Sequence, residues 1–263
     1  IPDEQNTLYW FIEKERKWWI QLLSFAGFLL VFWAIYRSFV PAAALMLAMV
    51  LHEIGHYLVF RLSGIKTVLM FLFPLGAMAA PATEDENKRS DTLPWWNIGW
   101  LLLAGPLMNV LQMAAGWFLI SKGVWVVFAQ QMIYINLILA VFNLLPILNL
   151  DGGQFFKVIY ASLDEKKDRL FQGIAIFVYI FSMAVMFVPT YGNLGSFLVM
   201  LWENALWILF VFVLALGSAI KHKKDVTKHA ESSQAMTNGQ VVIQVTMYSM
   251  MIFGIFGIYS LLY

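Results

Sequence analysis

The sequence predicts an all-α polytopic membrane protein with about six or seven transmembrane helices and a small membrane-associated β element after the second helix. Its composition is one reason: the 263 residues are 61% hydrophobic and 13% charged, with a mean hydropathy of +0.73, whereas about a quarter of the residues of soluble domains are charged. The second reason is a series of apolar stretches of about 18 residues or more, the length that spans hydrocarbon. They lie at 18–37, 40–63, 94–121, 124–148, 170–188, 194–220 and 241–263.

Basic residues predict how these spans are oriented. If the chain crosses the bilayer at every span, all of its 17 lysines and arginines except Arg37 and Lys122 fall on one side. Loops rich in Lys and Arg stay in the cytoplasm, so we expect a cytoplasmic N-terminus and, with seven spans, an external C-terminus. We expect an integral multi-pass protein of a bacterial or archaeal plasma membrane. The net charge of +1 gives no indication of nucleic-acid binding.

The spans divide the chain into four regions. We expect residues 1–39 to form an N-terminal cytoplasmic segment and the first transmembrane helix, 40–153 a three-helix core, 154–220 two accessory transmembrane helices, and 221–263 a basic cytoplasmic linker and a last transmembrane helix.

One apolar segment of the core is not predicted to be helical. Residues 64–82 contain two glycines and two prolines, with β-favouring residues before the first proline. Proline and glycine interrupt helices, so this segment is predicted to be an extended or hairpin element. The alternative is an interfacial loop without a role. The charged segment that follows, 84–91, is predicted to be a surface loop.

The sequence HEIGH, residues 52–56, places three ionisable side chains inside an apolar span. On a helix His52 and His56 project from one face and can reach a single ion, while Glu53 turns to the flank of that face. Ionisable groups within a span cost roughly 2.5–3.5 kcal/mol each and usually mark function. A chance match or a buried polar cluster is the alternative. The pattern predicts a zinc hydrolase, in which zinc lowers the pKa of water toward 7 and the carboxylate serves as general base.

A catalytic zinc usually has a third protein ligand. The chain has no cysteine, and its other two histidines lie in the polar segment 221–240, so the ligand should be a carboxylate within or at the end of a span. Asp151 and Glu203 are the candidates. The predicted orientation places Asp151 at the cytoplasmic end of the fourth span, level with the histidines, and Glu203 in the outer half of the sixth. Asp151 is therefore favoured; it could instead cap the helix that follows Gly153.

Three motifs together resemble the site-2 protease family of intramembrane zinc metalloproteases. HEIGH lies in the second span, AGPLMN (104–109) in the third, similar to the family's GPxxN pattern, and NLLPILNLDGG (143–153) in the fourth. Taken alone, the middle motif is typical of close helix packing. At positions 147–149, where the family commonly has prolines, this chain has Ile, Leu and Asn.

The resemblance implies that residues 40–153 form a catalytic three-helix core. It implies that His52, His56 and Asp151 hold zinc (Zn2+), with Glu53 as the general base. It also implies that residues 64–82 form the β element against which a substrate lies. Asn143, in the family's NxxP position, is expected either to hydrogen-bond the substrate or a developing oxyanion, or to brace the helix break.

The sequence therefore predicts a zinc-dependent intramembrane metalloendopeptidase that performs regulated proteolysis near the cytoplasmic face. Its expected partners are a membrane-spanning or membrane-associated peptide substrate and the lipid bilayer, and no nucleic acid. The alternative is a metal transporter or sensor that uses the same ligands for zinc in transit. Such a pathway would need a series of further His, Asp or Glu residues along the spans, which the sequence does not offer.

Overall fold

The structure, a computed structural model, describes residues 17–72, 76–145, 150–162 and 235–260. These residues form seven helices and a two-stranded sheet: α1 (Trp18–Tyr36), α2 (Phe39–Leu62), β1 (Thr67–Leu72), β2 (Gly76–Pro81), α3 (Glu84–Asp91), α4 (Trp95–Ser121), α5 (Val126–Asn143), α6 (Asp151–Ala161) and α7 (Asn238–Ser260). The chain divides into two compact units, one formed by Ile1–Ala140 with Gly257–Tyr263 and the other by Val141–Phe256.

Four of the described helices are long and apolar enough to cross a membrane. They are Trp19–Tyr36, Phe39–Leu62, Trp95–Ser121 and Val126–Asn143, which correspond to the first four predicted spans. The chain is a mostly helical membrane protein. The predicted spans 170–188 and 194–220, with Glu203, lie outside the described residues, and the last predicted span falls on α7. The total of six or seven spans stays a prediction.

The fourth span is shorter than the sequence predicted. Helix α5 ends at Asn143, five residues before the expected end at 148. The reason is Pro146, which has no amide hydrogen and disfavours helical backbone in the residue before it. The next helix, α6, begins at Asp151 itself rather than after Gly153.

The predicted hairpin at 64–82 is present. Gly64 adopts a left-handed conformation, with φ of 79°, and ends α2: its amide donates to Arg61 and that of Ile65 to Phe60, the usual pattern of a glycine helix stop. Strands β1 and β2 then pair antiparallel, with Thr67 opposite Pro81. The hairpin therefore follows directly from the end of the helix that carries HEIGH.

The charged segment 84–91, predicted to be a loop, is instead the short helix α3. The hydroxyl of Thr83 accepts from the Glu86 amide at 3.3 Å and caps it. Acidic residues fill the first turn and basic residues the last, the order that the helix dipole favours. The Glu86 carboxylate is buried and accepts from the Lys66 amide at 3.1 Å, so α3 is attached to the start of the hairpin.

Helices α2, α4 and α5 pack together through small side chains. Ala44 and Ala48 of α2 pack with Met132 and Ile135 of α5. On the α4 side, a side chain at Gly55 would overlap the backbone of Ala104. Small residues permit such close approach within membranes, and it brings the buried part of α2 against the backbone of α4.

In the unit Val141–Phe256, helix α7 packs on Leu144, just after α5, and on Phe155 of α6. The Tyr248 hydroxyl donates to the Leu144 carbonyl at 2.7 Å, and its ring stacks on Phe155 with centroids 5.4 Å apart. At Gly152 a side chain would overlap that same Leu144 carbonyl. Leu144 thus lies in close contact with both Gly152 of α6 and Tyr248 of α7.

Candidate metal centre

The two histidines of HEIGH converge on one point. Both are buried in α2, and their Nε2 atoms lie 3.1 Å apart. Two nitrogens that each lie 2.0–2.1 Å from one tetrahedral zinc ion are separated by about 3.3 Å. The pair therefore has the spacing of two ligands of a single ion.

The backbone of α4 determines which nitrogen of His56 carries the proton. The Nδ1 atom lies 2.7 Å from the carbonyl oxygen of Leu101. A carbonyl oxygen only accepts hydrogen bonds, so Nδ1 is the donor and Nε2 presents its lone pair. This is the usual arrangement behind a histidine that ligates a metal.

A side chain of α4 has the same effect on His52. Its Nδ1 atom lies 2.5 Å from Oδ1 of Asn109, which also accepts, so Nε2 again presents a lone pair. Two nitrogens 3.1 Å apart that each offer a lone pair can bind one cation together. The donor set, two imidazoles with a neighbouring carboxylate, matches what zinc binds.

Glu53 stands beside the histidine pair. Its carboxylate belongs, with His52 and His56, to a group whose candidate ligand atoms all lie within 4.8 Å of one another. The backbone amide of Ala79, in β2, donates to its Oε2 at 2.8 Å. The hairpin thus orients the carboxylate that the sequence predicted as general base.

Helix α4 reaches the histidines because residue 105 is glycine. A side chain there would overlap the imidazoles of both His52 and His56. Leu101, Gly105 and Asn109 are spaced by four residues, so they share one face of α4. That face contacts the histidine pair through the carbonyl of Leu101, the backbone of Gly105 and the side-chain amide of Asn109.

The AGPLMN motif supported the family resemblance in the sequence and, taken alone, indicated helix packing; it did not predict the contacts of Asn109 and Leu101 with the histidines. A signal for Asn109 was present, because an amide within a span needs a partner and this one follows Gly105 by one turn. Leu101 acts through its carbonyl, which no side-chain pattern reveals.

The other predicted site residues belong to the unit Val141–Phe256. Asp151 lies in the first turn of α6, and Asn143 is the last residue of α5. The structure thus brings together His52, Glu53 and His56, and the roles of Asp151 and Asn143 stay predictions.

Comparison with known proteins decides the family. The sequence pattern of peptidase family M50 matches residues 40–123 and 119–189, more than half of the chain. The chain belongs to peptidase family M50. This confirms the resemblance to the site-2 protease family, and the matched residues contain all three motifs.

Two curated relatives of this M50 member are zinc metalloproteases by name. It is 31% identical over 135 residues to a candidate zinc metalloprotease of Synechocystis sp., covering 49% of this chain and 34% of that protein. It is 26% identical over 220 residues to a zinc metalloprotease of Methanocaldococcus jannaschii, covering 81% and 58%. The chain thus spans about a third of the first relative's length and just over half of the second's.

We expect Gly105→Ala to abolish metal binding in this M50 member, because the added methyl group occupies the space of both imidazoles. Zinc content of the purified protein is the measurement. Gly257→Ala is the matched control, since a methyl group there meets nothing within 4 Å. Full zinc content in Gly105→Ala would show that α4 does not lie against the histidines.

Proposed function

We propose that this protein is an intramembrane zinc metalloprotease that hydrolyses peptide bonds of membrane-spanning or membrane-associated substrates. The observation that carries the proposal is the convergence of two Nε2 atoms, 3.1 Å apart, beside the Glu53 carboxylate. Membership of the M50 family and the names of the two relatives support both the metal and the reaction.

His52, His56 and Asp151 would hold the zinc ion. When bound, zinc lowers the pKa of a coordinated water toward 7 and acts as a Lewis acid. Glu53 takes the proton from the attacking water and returns it to the amine that leaves, a general acid–base role. The Ala79 amide holds the Glu53 carboxylate in a fixed orientation for both transfers.

Two features of α6 support Asp151 as the third ligand. It occupies the first turn of the helix, where the positive end of the dipole stabilises a carboxylate in its ionised, ligating form. The neighbouring Gly152 lies against the Leu144 carbonyl, which also accepts from the Tyr248 hydroxyl. Close backbone contact thus holds the start of α6, where Asp151 lies.

The outer edge of β2 is the proposed docking site for the substrate. The Ala82 amide pairs with the Lys66 carbonyl at 2.8 Å, and antiparallel pairs alternate, so Ala79 directs its amide away from β1. That amide meets Glu53. A peptide added as a strand to this edge would therefore lie next to the general base, which is how sheet edges bind extended peptides.

The outer edge of β1 is occupied by α1. The Phe71 amide, which also points out of the hairpin, donates to the Gln21 side chain at 2.5 Å. The Phe25 ring packs edge-on against Phe71, with centroids 5.2 Å apart. The two edges therefore differ, and β2 is the edge that faces the candidate metal centre.

The finer features of the reaction follow from the predicted orientation. With the N-terminus in the cytoplasm, the HEIGH segment lies in the cytoplasmic half of α2, so cleavage would occur near that face of a bacterial or archaeal plasma membrane. A helical substrate must be unwound before its peptide bond is exposed. Pairing with the sheet edge as an added strand would hold the peptide in this unwound, extended form. Asn143 would hydrogen-bond the extended peptide or brace the end of α5.

We expect Glu53→Gln to retain zinc and to lose proteolysis by about 10²- to 10⁴-fold, the usual contribution of a general base. The measurement is the cleavage product from co-expressed single-span proteins, with zinc content determined in parallel. The control is Glu86→Gln, which changes a buried glutamate of α3; this variant should cleave normally. Full activity of Glu53→Gln would refute the mechanism; zinc flux into proteoliposomes without cleavage would favour a transporter.

Asp151→Asn should weaken zinc retention, because a neutral amide is a poorer ligand than a carboxylate. Glu203→Gln is the matched variant, since Glu203 is the rival carboxylate from the sequence. Zinc content after dialysis against a chelator separates the two. Loss of zinc from Glu203→Gln and not from Asp151→Asn would assign the third ligand to Glu203.

Ala79→Pro should reduce cleavage while zinc content is unchanged, because proline removes the amide that orients Glu53 and faces the docking edge. Proline is tolerated at outward positions of edge strands. Leu69→Pro, directly opposite in the hairpin, removes an outward amide from the other strand and should cleave better than Ala79→Pro. Equal activities of the two variants would show that the β2 edge has no special role.

A further inference from the structure

Behind the histidine pair lies a cluster of buried amides that the proposed reaction does not use. Asn109 and Gln112 of α4 and Asn136 of α5 are exposed by 0%, 4% and 0%. Amide side chains in an apolar interior are costly unless they are hydrogen-bonded. Three of them in one hydrogen-bonded cluster therefore require an explanation.

The hydrogen bonds of the cluster run in a fixed donor-to-acceptor order, which is set by a backbone carbonyl. The Nδ2 group of Asn136 donates to the Met132 carbonyl oxygen at 2.8 Å. Because a carbonyl oxygen cannot donate, the Asn136 amide has one allowed orientation, with Oδ1 on its other side. That oxygen accepts from Nδ2 of Asn109 at 2.9 Å.

The orientation of Asn136 also determines the orientation of Asn109 and, through it, the tautomer of His52. Since Asn109 uses Nδ2 toward Asn136, its Oδ1 must face His52, whose Nδ1 lies 2.5 Å away. Nδ1 of His52 therefore carries the proton, and Nε2 keeps its lone pair. If the Asn109 amide were reversed, its Nδ2 would face Nδ1 and favour the tautomer that has a proton on Nε2.

We propose that Asn136 is a positioning residue for the metal centre, acting through Asn109 to hold His52 in its ligating tautomer. The proposal rests on the proposed function, in which His52 ligates zinc. His56 needs no such residue, because a backbone carbonyl orients it directly. Asn136 thus restricts the Asn109 amide to one orientation. In that orientation Asn109, like a backbone carbonyl, presents only an acceptor to the histidine.

Gln112 provides a matched comparison within the same cluster. Its Oε1 lies 3.5 Å from Nδ2 of Asn136, a longer contact than the one to Met132. The orientation of Asn136 is already determined by the Met132 carbonyl, so Gln112 does not decide it. Removing Gln112 takes away a buried amide of the same kind and leaves the direction of the cluster intact.

The test measures the zinc affinity of the purified full chain by competition with a chromophoric chelator. We expect Asn136→Leu to bind zinc about 10- to 100-fold more weakly, the usual effect of losing a group that orients a ligand. Gln112→Leu should change the affinity little. Asn136→Asp keeps an acceptor toward Asn109 and should retain most of the affinity, whereas a purely structural role predicts that this variant is as weak as Asn136→Leu.

A second background separates tautomer control from packing. In Asn109→Asp both side-chain oxygens accept, so His52 has its Nδ1 proton fixed without help from Asn136. Adding Asn136→Leu to Asn109→Asp should then cause no further loss of affinity. If Asn136→Leu does not fold, Asn136→Ala replaces it with the same expectations.

The proposal is overturned if Asn136→Leu binds zinc normally, or if its loss is equally large in the Asn109→Asp background. His52→Ala keeps this outcome distinct from failure of the proposed function. If His52→Ala retains its zinc, the proposed ligand set is wrong. If His52→Ala loses zinc and Asn136→Leu does not, only the role of Asn136 is refuted.

Discussion

The contact between the backbone of α4 and the two imidazoles of α2 is the constraint on which the candidate site depends. It exists because residue 105 has no side chain, and it places a carbonyl and an amide one turn to either side. Each acceptor directs one Nδ1 proton, so both Nε2 atoms point to the same place. Without this approach the histidines of HEIGH would still share a helix face, but Leu101 and Asn109 would not determine their tautomers.

The hairpin contacts the same helix, α2, through Glu53. In an apolar setting every backbone amide needs a partner, and the outward amides of the two strands find different ones. That of Phe71 is bound by Gln21 of α1, and that of Ala79 by Glu53. The asymmetry links the sheet edge to the proposed general base, so peptide docking and proton transfer would take place at one location.

Much of the fold and of the histidine pair was predictable from sequence, because the signals are local. The spacing of His52 and His56 and the Pro and Gly content of 64–82 act locally, so they correctly predicted a shared helix face and a hairpin. Helix α3 was missed because its charges were taken for a loop, although its Thr83 cap was readable. Asn109 could have been singled out as an amide within a span, but its partner, His52, could not be predicted, because the contact depends on how closely two helices distant in sequence approach each other.

The most direct test of the central claim is X-ray absorption at the zinc edge of the purified, zinc-loaded full chain. If His52 and His56 are held as α4 holds them here, the spectrum should show two imidazole groups, with oxygen ligands completing the coordination. A spectrum with one imidazole or none, or a protein that takes up no zinc, would contradict the account.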